Sequence, residues 1–372
     1  MNPEVWMEEA LELALRGRGE VEPNPRVGAL ALHSGAVVGR GWHRVYGGPH
    51  AEVEALAAAK AAGHAVDTVV VTLEPCSTPQ DVAGKKTPPC VRALLDAGVR
   101  RVIVGQRDPD PRHRGRGLIE LEQAGVQVED GVLESRCKAI NAPFLRWLQL
   151  DRPWTIAKWA MTLCGKTAAV TGESRWISGQ ESRNATHELR TRVDAVAVGF
   201  KTALVDDPEL TVRYVPGRQP VRIVIDPLAE IDDDSKLVAT ARQIPLWLLV
   251  GDDVDPARSG HLTDLGVQVI HVPRGEGPRR LQLRAAWREL RRRGIRRLLV
   301  EGGGELVAQL FAWDCVDQTL CFLAPKIIGG KFAPTPVGGP GKPFMSEALR
   351  LAEMHWHASG PDLAVGAFVL DA

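Results

Sequence analysis

Four residues in the first quarter of the chain have the types and spacing of a hydrolytic metal site: His50 and Glu52 in HAE, Cys76 in EPC, and Cys90 in TPPC. A catalytic zinc takes three protein ligands and leaves its fourth position to water, and one histidine with two thiolates is a recognised set. His50, Cys76 and Cys90 supply that set. Thr87, Pro88 and Pro89 predict a helix N-cap followed by proline in the first turn, which would set Cys90 where backbone amides and the helix dipole favour a thiolate. Glu52 stands two residues beyond the histidine, where a carboxylate can take a proton from an activated water and hand it to a leaving group. Such an arrangement is the working part of a hydrolytic deaminase. A structural zinc knuckle, or plain buried thiols, would account for the cysteines alone but not for the three features together.

The elements that must position these residues alternate. Before residue 150, strand-like VGALALH, DTVVVTL and RRVIVGQ are interleaved with helix-like HAEVEALAAAKAAG and CVRALLDAG, which predicts a layered α/β/α unit. APFLRWLQLDRPW, with Pro143 and Pro153, reads as a boundary. From Trp154 a second alternation runs through WTIAKWAM, DAVAVGF, VRIVID, IPLWLLV, VQVIHV, RRLLVEGGG, QTLCFLAPKIIGG and LAVGAFVLD. Two α/β domains, 1–147 and 152–372, are therefore expected in a chain of 372 residues.

Composition narrows the partners. Lys plus Arg and Asp plus Glu are 46 each, so no net field holds a polyanion or an anionic membrane. The amphipathic, acidic start MNPEVWMEEALELALRGRG is not a signal peptide, and no apolar run is long enough to span a bilayer. Six cysteines are too few for a disulfide scaffold of this length, so a reducing, cytoplasmic setting is expected.

HAE and EPC match the HxE and PC of the nucleobase-deaminase signature, with thirteen residues rather than two between the cysteines. Wider stretches carry a more specific likeness. PNPRVGAL, HAEVEAL, TLEPCS, TPPCVRALLDAGVRRVIVGQRDPDP and GRGLIELEQAGV resemble the deaminase half of the bifunctional riboflavin-biosynthesis deaminase/reductase family. KWAMTLCGKTAAVTGESRWISG, VDDPELTVR, VRIVID, VEGGGEL and LAPKIIGG resemble its reductase half, in the same order.

That resemblance implies a cytidine-deaminase-like domain followed by a dihydrofolate-reductase-like one, with zinc and NADPH as cofactors. The first would deaminate a diaminopyrimidinone carrying a ribosylamino phosphate, with Glu52 shuttling protons and Asn24 of PNP helping to hold the ring. The second would reduce the ribosyl group to ribityl. There the family pattern places Ser174, Arg190, Leu210, Arg213 and Glu301 by the substrate. Two arginine forks suit a phosphate tail. It places Ala160, Trp176, Thr202 and Asp206 against the cofactor, and the run Gly303, Gly304, Glu305, Leu306, Val307, Ala308, Gln309 would lay its first turn on the pyrophosphate. Pairing through the reductase sheets is implied too, giving a homodimer or higher homo-oligomer.

The chain departs from the family pattern in a long inter-cysteine stretch, STPQDVAGKK, in Cys164 where an aspartate is common, and in Pro227 where a serine is often found. Cys164 motivates an alternative in which the reductase-like domain has lost hydride transfer. A nucleic-acid-editing deaminase is a second alternative, opposed by the neutral charge and the lack of a basic, aromatic stripe. RELRRRGIRR, residues 288–297, reads as a solvated helix face, KFAPTPVGGPGKPF as a mobile surface loop, and Cys137, Cys315 and Cys321 as buried small hydrophobes.

Overall fold

The computed structural model describes residues 2–77, 89–111, 113–277 and 279–369. The chain forms two compact units, Met1–Leu150 and Asp151–Ala372.

In the first unit α1 (Pro3–Leu15) precedes β1 (Gly28–His33) and β2 (Ala36–Trp42), and α2 (Ala51–Ala61) leads to β3 (Thr68–Leu73). Then come α3 (Cys90–Asp96), β4 (Arg101–Gln106), α4 (Arg116–Gln123), β5 (Gln127–Asp130), α5 (Glu134–Ile140) and α6 (Ala142–Gln149). The strands form one sheet in the order β2-β1-β3-β4-β5, with β1 antiparallel to both neighbours and β3, β4 and β5 parallel. Both faces of the sheet are covered. Ala29, Ala31, Val69, Val71, Val102 and Val104 pack against α2, α3 and α4, whereas Leu30, Leu32, Val70 and Ile103 pack against α1 and α5. This is the period-two alternation of a doubly covered strand.

Small residues bring α2 close. A Cβ on Gly39 or Gly41 would meet the carbonyl oxygens of Ala55 or Ala51 at 2.2 Å, so glycines on β2 face alanines on α2. The close approach seats the first turn of α2, with His50 and Glu52, directly on the sheet.

The second unit contains β6 (Trp154–Thr162), α7 (Gln180–Arg192), β7 (Ala195–Gly199), α8 (Phe200–Asp206), β8 (Val221–Ile225), α9 (Lys236–Ala239) and β9 (Leu246–Gly251). It continues with α10 (Pro256–Asp264), β10 (Gln268–Val272), α11 (Leu283–Arg292), β11 (Arg297–Val300), α12 (Gly304–Ala312), β12 (Gln318–Ala324), β13 (Leu351–Ser359) and β14 (Asp362–Val369). Among the described residues its strands run in the order β10-β9-β8-β7-β11-β6-β12-β14-β13, parallel from β10 through β12, with β14 and β13 antiparallel at the edge. The chain steps outward from β6 through β7 to β10 and returns to insert β11 between β7 and β6. In open α/β sheets such a reversal leaves a ligand crevice at the carboxyl ends of the strands.

Ala142–Gln149 is the helix α6, with buried Pro143 and Phe144, and Pro143 falls in the first turn where proline is tolerated. Three readings from the sequence need correction. The basic run is helical only to Arg292, and Arg297 opens β11 fully buried. Parts of KFAPTPVGGPGKPF are pinned, since the Ala333 carbonyl accepts from Lys166 Nζ at 3.1 Å and the Gly338 amide donates to the Gly304 carbonyl at 3.0 Å. Helix α3 begins at Cys90 with Pro89 as its N-cap, so no proline follows the cap; Thr87 and Pro88 lie outside the described residues, as does most of the inter-cysteine stretch. Among the described residues no helix is long and apolar enough to cross a membrane.

Candidate functional site

His50 is the N-cap of α2, Cys76 follows β3, and Cys90 is the first residue of α3. Their donor atoms lie within 4.8 Å of one another. His50 Nδ1 is 3.1 Å from Cys90 Sγ and 3.5 Å from Cys76 Sγ. A tetrahedron with Zn–S of about 2.3 Å and Zn–N of about 2.0 Å separates its ligand atoms by about 3.5 Å. The donor set, one nitrogen and two sulfurs, thus fits zinc in chemistry and in spacing. The Cys90 amide also donates to Cys76 Sγ at 3.3 Å, a bond that favours sulfur in its anionic form. Hydrogen bonding to Cys76 and burial hold the Cys90 thiol well above the ordinary range, a preference that a bound cation would reverse.

Glu52, the second residue of α2, is only 3% exposed. Burial pushes its carboxyl upward, against the opposing influence of His50. A buried carboxyl beside the metal donors is suited to carry a proton rather than to serve as a fourth ligand.

The metal loop has its own support. Glu74 of EPC is buried, and its carboxylate accepts from the amides of Asp108 (3.0 Å), Gly115 (2.9 Å) and Gly117 (3.0 Å). Gly117 comes so close that a Cβ there would meet the Pro75 carbonyl oxygen at 2.0 Å. The 108–117 segment is thereby clamped beside Cys76. Asn24 is half-buried, and its Nδ2 lies 3.2 Å from Nε2 of His43. Burial, then His50, lowers the His43 imidazole to about 4.

In the second unit the residues expected near substrate separate into two groups. Arg190 on α7 meets Glu301, just past β11, with Nε 2.5 Å from Oε1 and Nη2 3.0 Å from Oε2, while Nη1 donates to the Thr211 carbonyl at 2.7 Å. Three of its five N–H groups are thus given to protein acceptors, two of them to Glu301. Arg213 is more exposed and pairs with Glu209 at 2.7 Å. Leu210 is buried, at φ +54°. Ser174 is half-buried in the connection between β6 and α7.

Two partners of this group were not anticipated from sequence. Lys158, on β6, sets Nζ 3.7 Å from Glu301 Oε2, and His187, on α7, accepts the Arg213 amide at Nδ1, 2.9 Å away. Burial pushes the Lys158 ammonium down while Glu301 opposes it. His187 is lowered to about 4 by burial, then by Arg190 and Arg213. Burial raises the Glu301 carboxyl, but Arg190 and Lys158 outweigh it and hold the group at about 2. The only sequence signals for the two were a lone lysine in a strand pattern, KWAM, and a histidine one turn before Arg190.

Of the residues expected near cofactor, Thr202 and Gly303 are brought together. Gly303 is the N-cap of α12 at φ +82°, and a Cβ there would come within 3.3 Å of Thr202 Oγ1 and 3.8 Å of the Gly199 amide. Glycine therefore leaves a cradle between β7 and β11. On its other flank α12 is covered, since a Cβ on Gly304 would meet the Thr335 carbonyl at 2.7 Å and Glu305 Oε1 accepts from the Gly339 amide at 3.2 Å. Leu306 and Val307 are core residues, which leaves the first-turn backbone to meet a pyrophosphate, with half-buried Ala308 and Gln309 behind it. Ala160 is half-buried on β6. Trp176 is exposed, stacks on Arg183 at 4.6 Å, and accepts from Lys326 Nζ through its carbonyl at 2.6 Å. The Asp206 carbonyl accepts from Arg175 at 2.8 Å, and burial raises its carboxyl.

Cys164 accepts from the amides of Ile328 (3.3 Å) and Gly329 (3.4 Å) and lies 3.2 Å from Thr162 Oγ1. The Thr162 hydroxyl and then those amides bring its thiol down to about 7. Its sulfur thus accepts hydrogen bonds from the turn after β12.

Comparison with known proteins matches both units. The family "RibD C-terminal domain" matches residues 153–365, and "Cytidine and deoxycytidylate deaminase zinc-binding region" matches residues 1–106. The riboflavin biosynthesis protein RibD of Aquifex aeolicus is 37% identical over 97% of this chain and 96% of its own length. The Actinobacillus pleuropneumoniae protein of that name is 36% identical over 98% and 95%. Among solved structures, Acinetobacter baumannii RibD covers 99% of both chains at 29% identity and TM-score 0.71. A diaminohydroxyphosphoribosylaminopyrimidine deaminase/5-amino-6-(5-phosphoribosylamino)uracil reductase of Thermotoga maritima covers 99% of both at 30% identity and TM-score 0.68.

Proposed function

Because this chain belongs to the bifunctional riboflavin-biosynthesis deaminase/reductase family, we propose that it acts on the two substrates named for the Thermotoga relative, in order. Unit 1 hydrolyses the ring amine of the diaminopyrimidinone ribosylamino phosphate, and unit 2 reduces the ribosyl group of the product to ribityl with NADPH. The observation that carries the reading is the His50, Cys76 and Cys90 donor set with buried Glu52 beside it.

In unit 1, His50, Cys76 and Cys90 hold zinc, which when bound makes water acidic enough to attack at neutral pH. Asn24 holds the pyrimidine. Glu52 takes the attacking water's proton and delivers it to the departing amine, so C–N breaks, C–O forms and ammonia leaves.

In unit 2, NADPH supplies hydride, and the protein supplies position and charge. Gly303 to Gln309 and Thr202 receive the dinucleotide in the cradle beside α12, with Ala160, Trp176 and Asp206 completing its site. Glu301, held ionised by Arg190 and Lys158, accepts hydrogen bonds from the opened sugar, and Lys158 is placed to return a proton. Arg213 is the cation with room for the phosphate, near Ser174 and the Leu210 backbone.

We place the domain boundary at 147–152 and the work of the enzyme in a reducing cytoplasm, in keeping with six cysteines outside any disulfide. The edge strand β13 exposes Leu351, Met354 and Trp356, an unpaired apolar edge that a second copy would cover in a homodimer.

Removing zinc tests the division of labour. Dialysis against a chelator should abolish ammonia release, leave NADPH oxidation on the deaminated substrate unchanged, and be reversed by zinc. Loss of both activities, or of neither, would contradict the assignment of the metal to unit 1.

A further inference from the structure

His43 lies one residue beyond β2, is buried, and belongs to no part of the metal set. Its Nδ1 is 2.8 Å from the carbonyl oxygen of Pro49, the residue before ligand His50. A carbonyl only accepts, so Nδ1 carries the hydrogen, and Nε2, which faces the donor Nδ2 of Asn24, is left as the acceptor. The group facing Nε2 at 3.2 Å is the side-chain amide of Asn24. Only the NH2 end of that amide can donate to a lone pair; the opposite flip would set two acceptors against each other. The Asn24 carbonyl oxygen is thereby turned away from His43.

We propose that His43 is a positioning residue that fixes the flip of Asn24, so that Asn24 presents a hydrogen-bond acceptor to the pyrimidine. The site then recognises a ring edge bearing an N–H donor and disfavours an isostere with a lone pair at that edge. This rests on the reading that Asn24 contacts the ring. His43 also ties that contact to the metal site, because the same imidazole holds the Pro49 carbonyl and stands edge-on to His50, with ring centroids 5.5 Å apart.

The test is a double-mutant cycle on zinc-loaded full-length protein, with Asn24→Ala, His43→Phe and the double variant, reading KM and kcat for deamination together with zinc content. Asn24→Ala and His43→Phe should each raise KM about tenfold, the loss of one oriented hydrogen bond, with kcat within about threefold and one zinc retained. The double variant should be no worse than Asn24→Ala alone, because His43 acts through Asn24. His43→Gln, whose amide oxygen can still accept from Asn24, should recover part of the loss, and it replaces His43→Phe in the cycle if the latter fails to fold or to hold zinc. Additive losses, with Asn24→Ala impaired by itself, overturn the role given to His43 and leave Asn24 in place. An unchanged KM in Asn24→Ala overturns the reading of Asn24, and the proposal falls with it.

Discussion

Glu52→Gln is expected to slow ammonia release by about 10²–10⁴-fold, the usual worth of a positioned general acid–base group. Glutamine keeps the shape of the side chain and cannot take the water's proton. Because Glu52 is not among the donor atoms that gather around the metal, zinc content should stay at one per chain. Because unit 2 does its own chemistry, NADPH oxidation on the deaminated substrate should not change. A loss below about tenfold with zinc retained would remove Glu52 from proton transfer, leaving a buried carboxyl with no role in the reaction.

Glu301→Ala is expected to cost unit 2 about 3–5 kcal/mol, the range found when one member of a buried ion pair is removed. Arg190 and Lys158 would be left facing each other as buried cations without their shared carboxylate. Reduction should be lost at temperatures where the unit remains folded, since Glu301 also faces the sugar, while ammonia release continues. The pH dependence has a definite sign. Folding depresses the Glu301 carboxyl from its ordinary 4.5 to about 2. Its contribution is therefore complete above about 4.5 and lost as pH falls toward 2. Glu301→Gln should flatten that part of the acid-unfolding curve of unit 2, as followed by tryptophan fluorescence. An unchanged acid limb would mean that the pair contributes no stability.

How much of this was legible in the sequence depended on whether the cause was local. The buried parallel strands announced themselves as runs of valine, leucine and isoleucine, as in VRIVID for β8 or RRLLVE for β11. Strand β2 did not, because AVVGRGW spends two positions on the glycines that admit α2. Nor did β13, LAEMHWHAS, an exposed edge strand whose polar residues give no hydrophobic run. Helix α6 was hidden behind prolines that mark a boundary more often than a first turn.

The metal set was readable because histidine, glutamate and cysteine keep their chemistry wherever they are placed, and their neighbours PC and HAE are short motifs. The two residues of the Arg190–Glu301 pair, separated by 111 residues, could be named only through family likeness, and their pairing is seen only in the hydrogen bonds between them. Lys158, His43 and the clamp at Glu74 are defined by what faces them in space. Arg297 shows the same limit from the other side, since five basic residues from Arg291 read as solvent-facing while the last of the run is sealed inside.

The central claim is that one chain deaminates and then reduces the same phosphorylated substrate. Its most direct test is a single reaction of zinc-loaded protein with the diaminopyrimidinone ribosylamino phosphate, with and without NADPH, following product mass and cofactor absorbance together. The expected result is a mass gain of about one unit without NADPH, as amine becomes carbonyl, and about two further units with it, matched by one NADPH oxidised per product. Deamination without oxidation would show that unit 2 has lost hydride transfer. No deamination by protein that holds its zinc would contradict the account at its root.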